Sequence, residues 1–269
     1  MSGQQSRVVL VTGAAGGIGG AITHALIAEG HAVAAVDRDA TALEPLKSSD
    51  RIHPVLIDLA SESACHEAVQ STVAHFGRLD AVINNAGIGP SSLRPDAEAN
   101  LPRIEELTAE IWDRFFAINV RAPMLIVQAA LPHMRKGSFG RIINNTTSFR
   151  TMLRVLPYGA TKSALESMSA IWAKELDPDG ITVNVLIPGG PTDTPFIHDD
   201  AGWDRAKMLR PEIMGPPAAW LVSDESAGYT GHRIIAANWD TALSGSANSI
   251  KAGQPIGWPE LGADAVWLR

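Results

Sequence analysis

The sequence predicts an α/β fold in which one doubly wound parallel sheet of about seven strands carries helices on both faces. Short apolar runs alternate with longer amphipathic stretches along the chain, and runs such as VVLV and TVNVLI are almost wholly apolar. Continuous apolar runs are typical of strands that a parallel sheet buries on both faces. With 45% hydrophobic and 19% charged residues, the 269-residue chain can also bury a large core.

The predicted elements follow one another in strand–helix order. We expect strands at 7–12, 31–36, 52–57, 79–84, 140–145, 181–187 and 233–237. We expect helices at 17–29, 61–76, 110–136 and 158–176, and a shorter one after Pro217. The segment 188–217 holds six prolines, so its first half should be irregular.

Composition argues against several classes of function. The chain carries 22 lysines and arginines against 29 aspartates and glutamates, a net charge of −7, which argues against a nucleic-acid partner. No apolar run approaches the ~18 residues that span a bilayer, and no leader precedes Arg7, so we expect a cytoplasmic protein without a membrane partner. Cys65 is the only cysteine and the eight histidines lack ligand spacing, so we expect no metal site.

A glycine-rich loop, TGAAGGIG at residues 12–19, joins the first strand to the first helix. Gly13, Gly17 and Gly19 suit a tight turn, a backbone that approaches a pyrophosphate, and close packing of the helix on the strand. The unpaired N–H groups where the helix begins, around Ile18, would bind the phosphates. The loop therefore predicts a dinucleotide cofactor.

The spacing TGxxxGxG resembles the short-chain dehydrogenase/reductase family, whose domain is a single Rossmann-type sheet. Asp37 closes the second strand, where an acidic side chain accepts hydrogen bonds from a ribose 2′-hydroxyl, and Arg38 follows it. An acid at this position favours NAD over NADP. The resemblance implies that 1–240 is the dinucleotide-binding catalytic domain. We expect the tail at 241–269, which holds two tryptophans, to pack on that domain or on a neighbouring subunit.

The resemblance also implies further cofactor contacts after the third, fourth and sixth strands. In the family an acid after the third strand lies beside the adenine, and the motif NNAG lies against the adenine ribose. The PG motif and a threonine after it hold the nicotinamide amide, and two threonines qualify here. The residues concerned are Asp58, Leu59, Asn85, Ala86, Gly87, Pro188, Gly189, Thr192 and Thr194.

Tyr158 and Lys162 form the family's YxxxK motif. Residues four apart lie on one face of a helix. An ammonium group beside the phenol is expected to lower the tyrosine pKa from about 10 toward neutrality. Tyr158 would then act as general acid and base, while Lys162 would also orient the nicotinamide ribose.

Two further catalytic positions come from the resemblance. Asn119 matches the helix asparagine that holds a water in the proton relay. The stretch 141–148, RIINNTTS, resembles RIVNISS, whose last serine hydrogen-bonds the substrate oxygen. Strict register places Thr147 on that serine, but the connection to Tyr158 is about two residues shorter than is usual in the family. We therefore favour Ser148, with Thr147 as the alternative, because either hydroxyl can donate.

These motifs predict an NAD-dependent oxidoreductase that transfers a hydride between the nicotinamide and a small secondary alcohol or ketone. An NADPH-dependent 3-oxoacyl or other carbonyl reductase is the alternative, although Asp37 and the lack of a basic residue at 14–18 argue against it. A dinucleotide-binding protein without catalysis is a third hypothesis. The resemblance further implies a homotetramer or homodimer in which helices 110–136 and 158–176 contact a partner, because the second of these is apolar on more than one face.

Overall fold

A computed structural model describes residues 5–262 of the chain. The described residues form one sheet of eight strands in the order β3-β2-β1-β4-β5-β6-β7-β8. The strands are β1 (Val8–Thr12), β2 (Ala32–Asp37), β3 (Ile52–Leu56), β4 (Ala81–Asn84), β5 (Gly140–Asn145), β6 (Ile181–Ile187), β7 (His232–Ile235) and β8 (Gly253–Pro255).

Ten α-helices accompany these strands within the described residues. They are α1 (Gly17–Ala28), α2 (Ala40–Leu43), α3 (Glu62–Phe76), α4 (Ala109–Phe116), α5 (Ala122–Gly137), α6 (Phe149–Met152), α7 (Tyr158–Glu175), α8 (Gly215–Val222), α9 (Gly245–Ala252) and α10 (Pro259–Gly262). Helices α1 and α8 pack on one face of the sheet, and α3, α5 and α7 pack on the other. The predicted fold class is confirmed, with seven parallel strands buried between two helical layers.

The strand count differs from the prediction at the carboxyl end of the chain. The eighth strand, β8, pairs antiparallel with β7 through His232 opposite Pro255. It is only three residues long and contains glycine and proline, so its sequence lacks the apolar run that identifies the other strands. Helix α9 precedes it, and Trp258, which follows it, lies 5.7 Å from the ring of Phe149. Trp267, the other tryptophan of the tail, lies outside the described residues.

The helix expected at 110–136 is two helices, α4 and α5, joined by one π-helical turn at Ala117–Arg121. Pro123 has no N–H to donate to the carbonyl oxygen of Asn119, four residues earlier, which interrupts regular α-helical bonding here. The whole stretch Ala109–Gly137 is long and apolar enough to span a bilayer, which corrects the expectation that no run is. Half of its apolar window is buried, and α5 packs on α3 and on the sheet, as a core helix does.

The proline-rich segment after β6 forms only short helical turns, as expected. It nevertheless has a small core of its own, formed by Ile197, Ala201 and Met208. Arg205 binds Asp193 at 2.7 Å and also donates to the main-chain oxygen of Ile197 at 2.7 Å. This segment therefore holds a defined position over the carboxyl ends of the strands.

Candidate active site

The glycine loop lies between β1 and α1 and has the close backbone contacts that the sequence predicts. Gly13 and Gly17 have positive φ values of 62° and 53°, a conformation that favours glycine. A Cβ atom at Gly19 would overlap the carbonyl oxygen of Gly13, and one at Gly17 would lie 3.1 Å from Thr194 Cβ. The loop can therefore bring bare backbone to a phosphate group at the N-terminus of α1.

Four hydrogen bonds join this loop to the end of β4. The Thr12 hydroxyl accepts from the N–H groups of Asn85 at 3.0 Å and Ala86 at 2.9 Å. The Asn85 amide donates to the main-chain oxygens of Thr12 at 3.0 Å and Gly13 at 3.2 Å. The side chain of Asn85 thus serves the architecture of the loop, while the backbone of Ala86 and Gly87 faces the cleft.

A cavity opens beside this junction, at the carboxyl ends of the first four strands. Its lining includes seven of the predicted cofactor residues, among them the acid at the end of β2 and the dipeptide after β3. The lining residues are Gly13, Val36, Asp37, Arg38, Ile57, Asp58, Leu59, Ala86, Gly87, Ile88 and Ile118. The lining combines apolar side chains with the carboxylates of Asp37 and Asp58, which suits an adenosine, whose ring faces pack on apolar groups and whose ribose donates hydrogen bonds.

Asp37 is held in place by two backbone groups. Its Oδ2 accepts from the Ala15 N–H at 3.1 Å and its Oδ1 accepts from the Asp39 N–H at 3.1 Å. Each carboxylate oxygen retains further acceptor capacity. Asp58 is exposed and accepts from the Ala60 N–H at 3.0 Å. The chemistry and placement of both acids fit the adenosine half of a dinucleotide.

The residues predicted for the nicotinamide half follow β6. Gly189 has a φ of 100° and packs against Ile235. Thr192 pairs with Leu209 in an isolated bridge, whereas Thr194 lies against Gly17 of the phosphate loop. Of the two threonines that the sequence offers, the geometry favours Thr194 as the one beside the cofactor. Pro188 precedes this turn, and Ile18 packs against the core under α1.

Tyr158 and Lys162 occupy the first two turns of α7, on one face, as the spacing predicts. Lys162 is 4% exposed, and its Nζ donates to the main-chain oxygen of Asn145 at 2.7 Å. The Nζ atom lies 5.7 Å from the centroid of the Tyr158 ring. Burial lowers the pKa of Lys162 to about 8.

The direction of the Tyr158 pKa shift corrects the expectation from its lysine neighbour. Burial raises the pKa of Tyr158 above its usual range, and the nearby carboxylate of Glu98 raises it further. The Thr147 side chain acts in the opposite sense and lowers the pKa of Tyr158, but burial outweighs it. Desolvation of the phenolate therefore exceeds any stabilisation by Lys162, whose charge is directed at the Asn145 carbonyl.

The two hydroxyl candidates have different neighbours. Ser148 is the N-cap of α6, because its Oγ accepts from the Thr151 N–H at 3.2 Å and lies 2.9 Å from Thr151 Oγ1. The Thr147 side chain lies close enough to the Tyr158 phenol to lower the pKa of that phenol. The geometry therefore favours Thr147 over the expected Ser148. The short helix α6 accounts for the compact connection between β5 and Tyr158. The alignment that places Thr147 on the family's serine therefore needs no shift by one residue.

Asn119 lies in the π-helical turn and is fully buried. Its amide clamps Ile88, accepting from the Ile88 N–H and donating to its carbonyl oxygen, both at 2.9 Å, and it also donates to Thr161 Oγ1 at 3.0 Å. The side chain is therefore fully engaged in holding the loop after β4. Since Pro123 lacks an N–H, the main-chain oxygen of Asn119 is the group better suited to hold a relay water.

The sequence does not point to Glu98, in the long loop after β4, whose charge raises the pKa of Tyr158. Burial raises the pKa of Glu98 itself, and the backbone of Ser91 lowers it by less. A single acid within a polar loop has no sequence signal that separates it from solvated neighbours.

Phe196, in the proline-rich segment after β6, is a second residue that the sequence does not point to. Its ring lies 5.8 Å from that of Tyr158 and packs on Gly89, which closes one side of the cleft.

We expect Glu98→Gln to shift the pH dependence of alcohol oxidation to lower pH. The carboxylate disfavours the Tyr158 phenolate, so its removal lowers the pKa of Tyr158 and more phenolate is present at a given pH. The profile should move in that direction because one partly screened negative charge is removed. The pH profile of kcat measures it, with Glu105→Gln as the exposed control. An unshifted or oppositely shifted profile would contradict the assignment.

A parallel sheet with a glycine loop after β1, an acid after β2 and a Tyr–Lys pair at the carboxyl edge defines a dinucleotide-binding oxidoreductase. The short-chain dehydrogenase family model matches residues 7–204. The chain belongs to the short-chain dehydrogenase/reductase family, which confirms the resemblance.

Several named proteins and solved structures are similar to this chain. Glucose and ribitol dehydrogenase homolog 2 of Arabidopsis thaliana is 35% identical over 256 residues, 86% of this chain and 84% of that protein. The 3-ketoacyl-(acyl-carrier-protein) reductase of Brucella melitensis, complexed with NADH, matches with a TM-score of 0.73 and 26% identity over 86% of this chain and 96% of that chain. A blue fluorescent protein from a metagenomic library, in complex with NADPH, matches with a TM-score of 0.72 and 29% identity over 85% of this chain and 95% of that chain.

Proposed function

We propose that this oxidoreductase is an NAD-dependent dehydrogenase that interconverts a small secondary alcohol and its ketone. The proposal rests on Tyr158, whose pKa the Thr147 side chain lowers and whose ring centroid lies 5.7 Å from the Nζ of the buried Lys162, at the edge of the sheet where the glycine loop lies. Tyr158 packs against the apolar cluster of Ile88, Phe115 and Ile118, so an alcohol with apolar substituents fits best.

The roles of the side chains follow from their chemistry. Tyr158 accepts the alcohol proton during oxidation and returns it during reduction. The Thr147 hydroxyl donates a hydrogen bond to the same substrate oxygen. Lys162 holds positive charge near Tyr158, and the Asn119 backbone holds the water that connects Lys162 to solvent. NAD would supply the hydride acceptor, bound by the glycine loop, Asp37 and the loops after β3, β4 and β6.

The preference for NAD is proposed from Asp37. In NADP a phosphate replaces the ribose 2′-hydroxyl and would bring negative charge against the Asp37 carboxylate. This repulsion should cost about 1–3 kcal/mol of binding free energy. We expect wild-type kcat/KM to favour NAD over NADP by about 5- to 150-fold, and Asp37→Ala to narrow or invert that ratio because Arg38 can then bind the phosphate. Both values are measured with one substrate.

Asp37→Asn is the matched control, because its amide oxygen can still accept from the Ala15 N–H that orders the loop. Asp37→Asn should lose the preference for NAD over NADP as Asp37→Ala does, while the glycine loop stays ordered. A wild-type preference for NADP would contradict the role of Asp37. It would support the alternative of an NADPH-dependent 3-oxoacyl or other carbonyl reductase, which Arg38 at the cavity favours.

The oligomer is proposed to be a homotetramer or homodimer that uses the outer face of α7. Ile171 is 57% exposed there, with Ala164 and Met168 half-buried on the same face, and Trp112 of α4, in the other helical stretch expected at an interface, is 39% exposed. An apolar second face is typical of a helix that packs twice. Sedimentation at micromolar concentration should give a multiple of 28.5 kDa, and a monomer would contradict the proposal.

Turnover itself tests the function. NAD reduction is followed against a panel of secondary alcohols, sugars, sterols and aryl carbinols, and the reverse reaction against the matching ketones. Oxidation of one or more alcohols supports the proposal. Binding of NAD without turnover of any alcohol or ketone would contradict it and favour a non-catalytic dinucleotide-binding protein.

A further inference from the structure

A fully buried ion pair lies beneath the loop that carries Thr147. Arg233 Nε donates to Glu166 Oε1 at 3.0 Å, and the two side chains are 3% and 0% exposed. The Thr146 hydroxyl donates to Glu166 Oε2 at 2.7 Å, and the Gly257 N–H donates to Oε1 at 3.2 Å. Arg233 Nη2 donates in turn to the main-chain oxygen of Thr147 at 2.7 Å. One carboxylate thus joins three distant segments of the chain.

The position of this pair relates it to the active site. Glu166 lies one helical turn beyond Lys162 on α7, on the face that also carries Tyr158. Arg233 comes from β7 and reaches past β6 to the end of β5. Its guanidinium lies 4.2 Å from the ring centroid of Phe149, two residues after Thr147. The pair therefore connects the helix of Tyr158 to the loop of Thr147 from below.

Stability alone does not account for such a pair. Removing two charges from water costs about as much as their attraction returns, and well-packed apolar residues of similar volume often serve as well. What apolar residues do not supply is a donor with fixed direction. The planar guanidinium offers such donors, and one of them fixes the carbonyl of Thr147.

We infer that Arg233 and Glu166 are positioning residues for the proposed alcohol–ketone reaction. By holding the Thr147 carbonyl, they set the direction in which the Thr147 side chain leaves the backbone and so bring its hydroxyl to Tyr158. The Gly257 contact extends the same order to the segment after β8. The inference rests on the proposed function. It gives a positioning role to two residues, Arg233 and Glu166, that lie outside the Tyr–Lys motif.

The test is the double variant Glu166→Met/Arg233→Met, which removes both charges, so that neither charge is left buried without its counter-charge. We expect a folded protein with unchanged Kd for NAD, and kcat lower by about 10- to 100-fold because the donor is misplaced. Adding Thr147→Ala should cost the double variant much less than it costs the wild type, since the hydroxyl is already out of place. Amide hydrogen exchange of the peptide 146–152 should be faster.

The outcomes separate this inference from the proposed function. A folded double variant with kcat within about twofold of wild type and unchanged exchange would overturn the inference, since misplaced catalytic groups cost more than that. If the wild type turns over no alcohol or ketone, the proposed function fails, and exchange alone decides: unchanged exchange overturns the positioning, and faster exchange supports it.

Two further variants serve as a fallback and as a control. If the double variant does not fold, Arg233→Lys retains a charge for Glu166 but cannot also reach the Thr147 carbonyl, so kcat should fall while the melting temperature stays close to wild type. The matched control is Arg7→Met/Asp224→Asn, which removes another buried arginine's ion pair, at the amino-terminal end of the central strand β1. It should leave kcat and the exchange of 146–152 unchanged, and a similar kcat loss there would overturn the assignment.

Discussion

Tyr158→Phe is expected to lower kcat by about 10²- to 10⁴-fold, the effect of losing a general acid and base, while the Kd for NAD stays close to wild type. The reason is geometric: Tyr158 is not among the residues that line the cavity proposed for the adenosine, at the carboxyl ends of the first four strands. Steady-state kinetics and NAD titration measure the two quantities. Near-full turnover in Tyr158→Phe would remove the basis for the proposed mechanism.

The chain supplies a matched control, because Tyr229 is its only other tyrosine. The Tyr229 hydroxyl donates to the main-chain oxygen of Ser249 at 3.3 Å, and its ring packs against Trp220, away from the cleft. Tyr229→Phe should keep wild-type kcat.

The rate of alcohol oxidation by the wild type should rise with pH. The raised pKa of Tyr158 leaves little phenolate at neutral pH, and each further unit of pH increases the fraction of phenolate. Reduction, which needs the phenol, should not require high pH.

Thr147→Ala is expected to lower kcat by about 10²- to 10³-fold, as removal of one donor to a developing oxyanion does. Thr147→Ser should recover most of the rate, since it keeps the hydroxyl. The comparison variant is Ser148→Ala, which removes the N-cap of α6 and should cost about 1 kcal/mol of stability with little change in kcat. Rates and melting temperatures of the three variants distinguish the two hydroxyls. The reverse ranking would assign the substrate contact to Ser148.

The parts of the site that are local in sequence could be predicted from it. The glycine loop and the pair Tyr158–Lys162 depend on spacing within one turn or one helix, and the structure places them as the spacing indicates. The same holds for the seven parallel strands, because apolar runs report burial directly. The choice between Thr147 and Ser148 depends on a one-residue register, and the structure adds only that Ser148 is engaged as the N-cap of α6.

The remaining parts depend on contacts between distant residues. Glu166 and Arg233 are 67 positions apart, and neither has a sequence neighbour that marks it as buried or paired. The pKa of Tyr158 is set by burial and by Glu98, which comes from a loop 60 residues earlier, so the lysine alone predicted the wrong direction. Strand β8 has too few residues for any periodic signal.

The hydrogen bonds between Thr12 and the loop after β4 have a consequence for the entropy of cofactor binding. Ordering the backbone of one residue costs about 1–2 kcal/mol. Since Asn85 and Thr12 already hold the two loops together, that cost is met when the chain folds and not when the dinucleotide arrives. Loosening the junction by Asn85→Ala should therefore weaken affinity through a less favourable binding entropy, although Asn85 donates its amide hydrogens to the protein and none to the ligand.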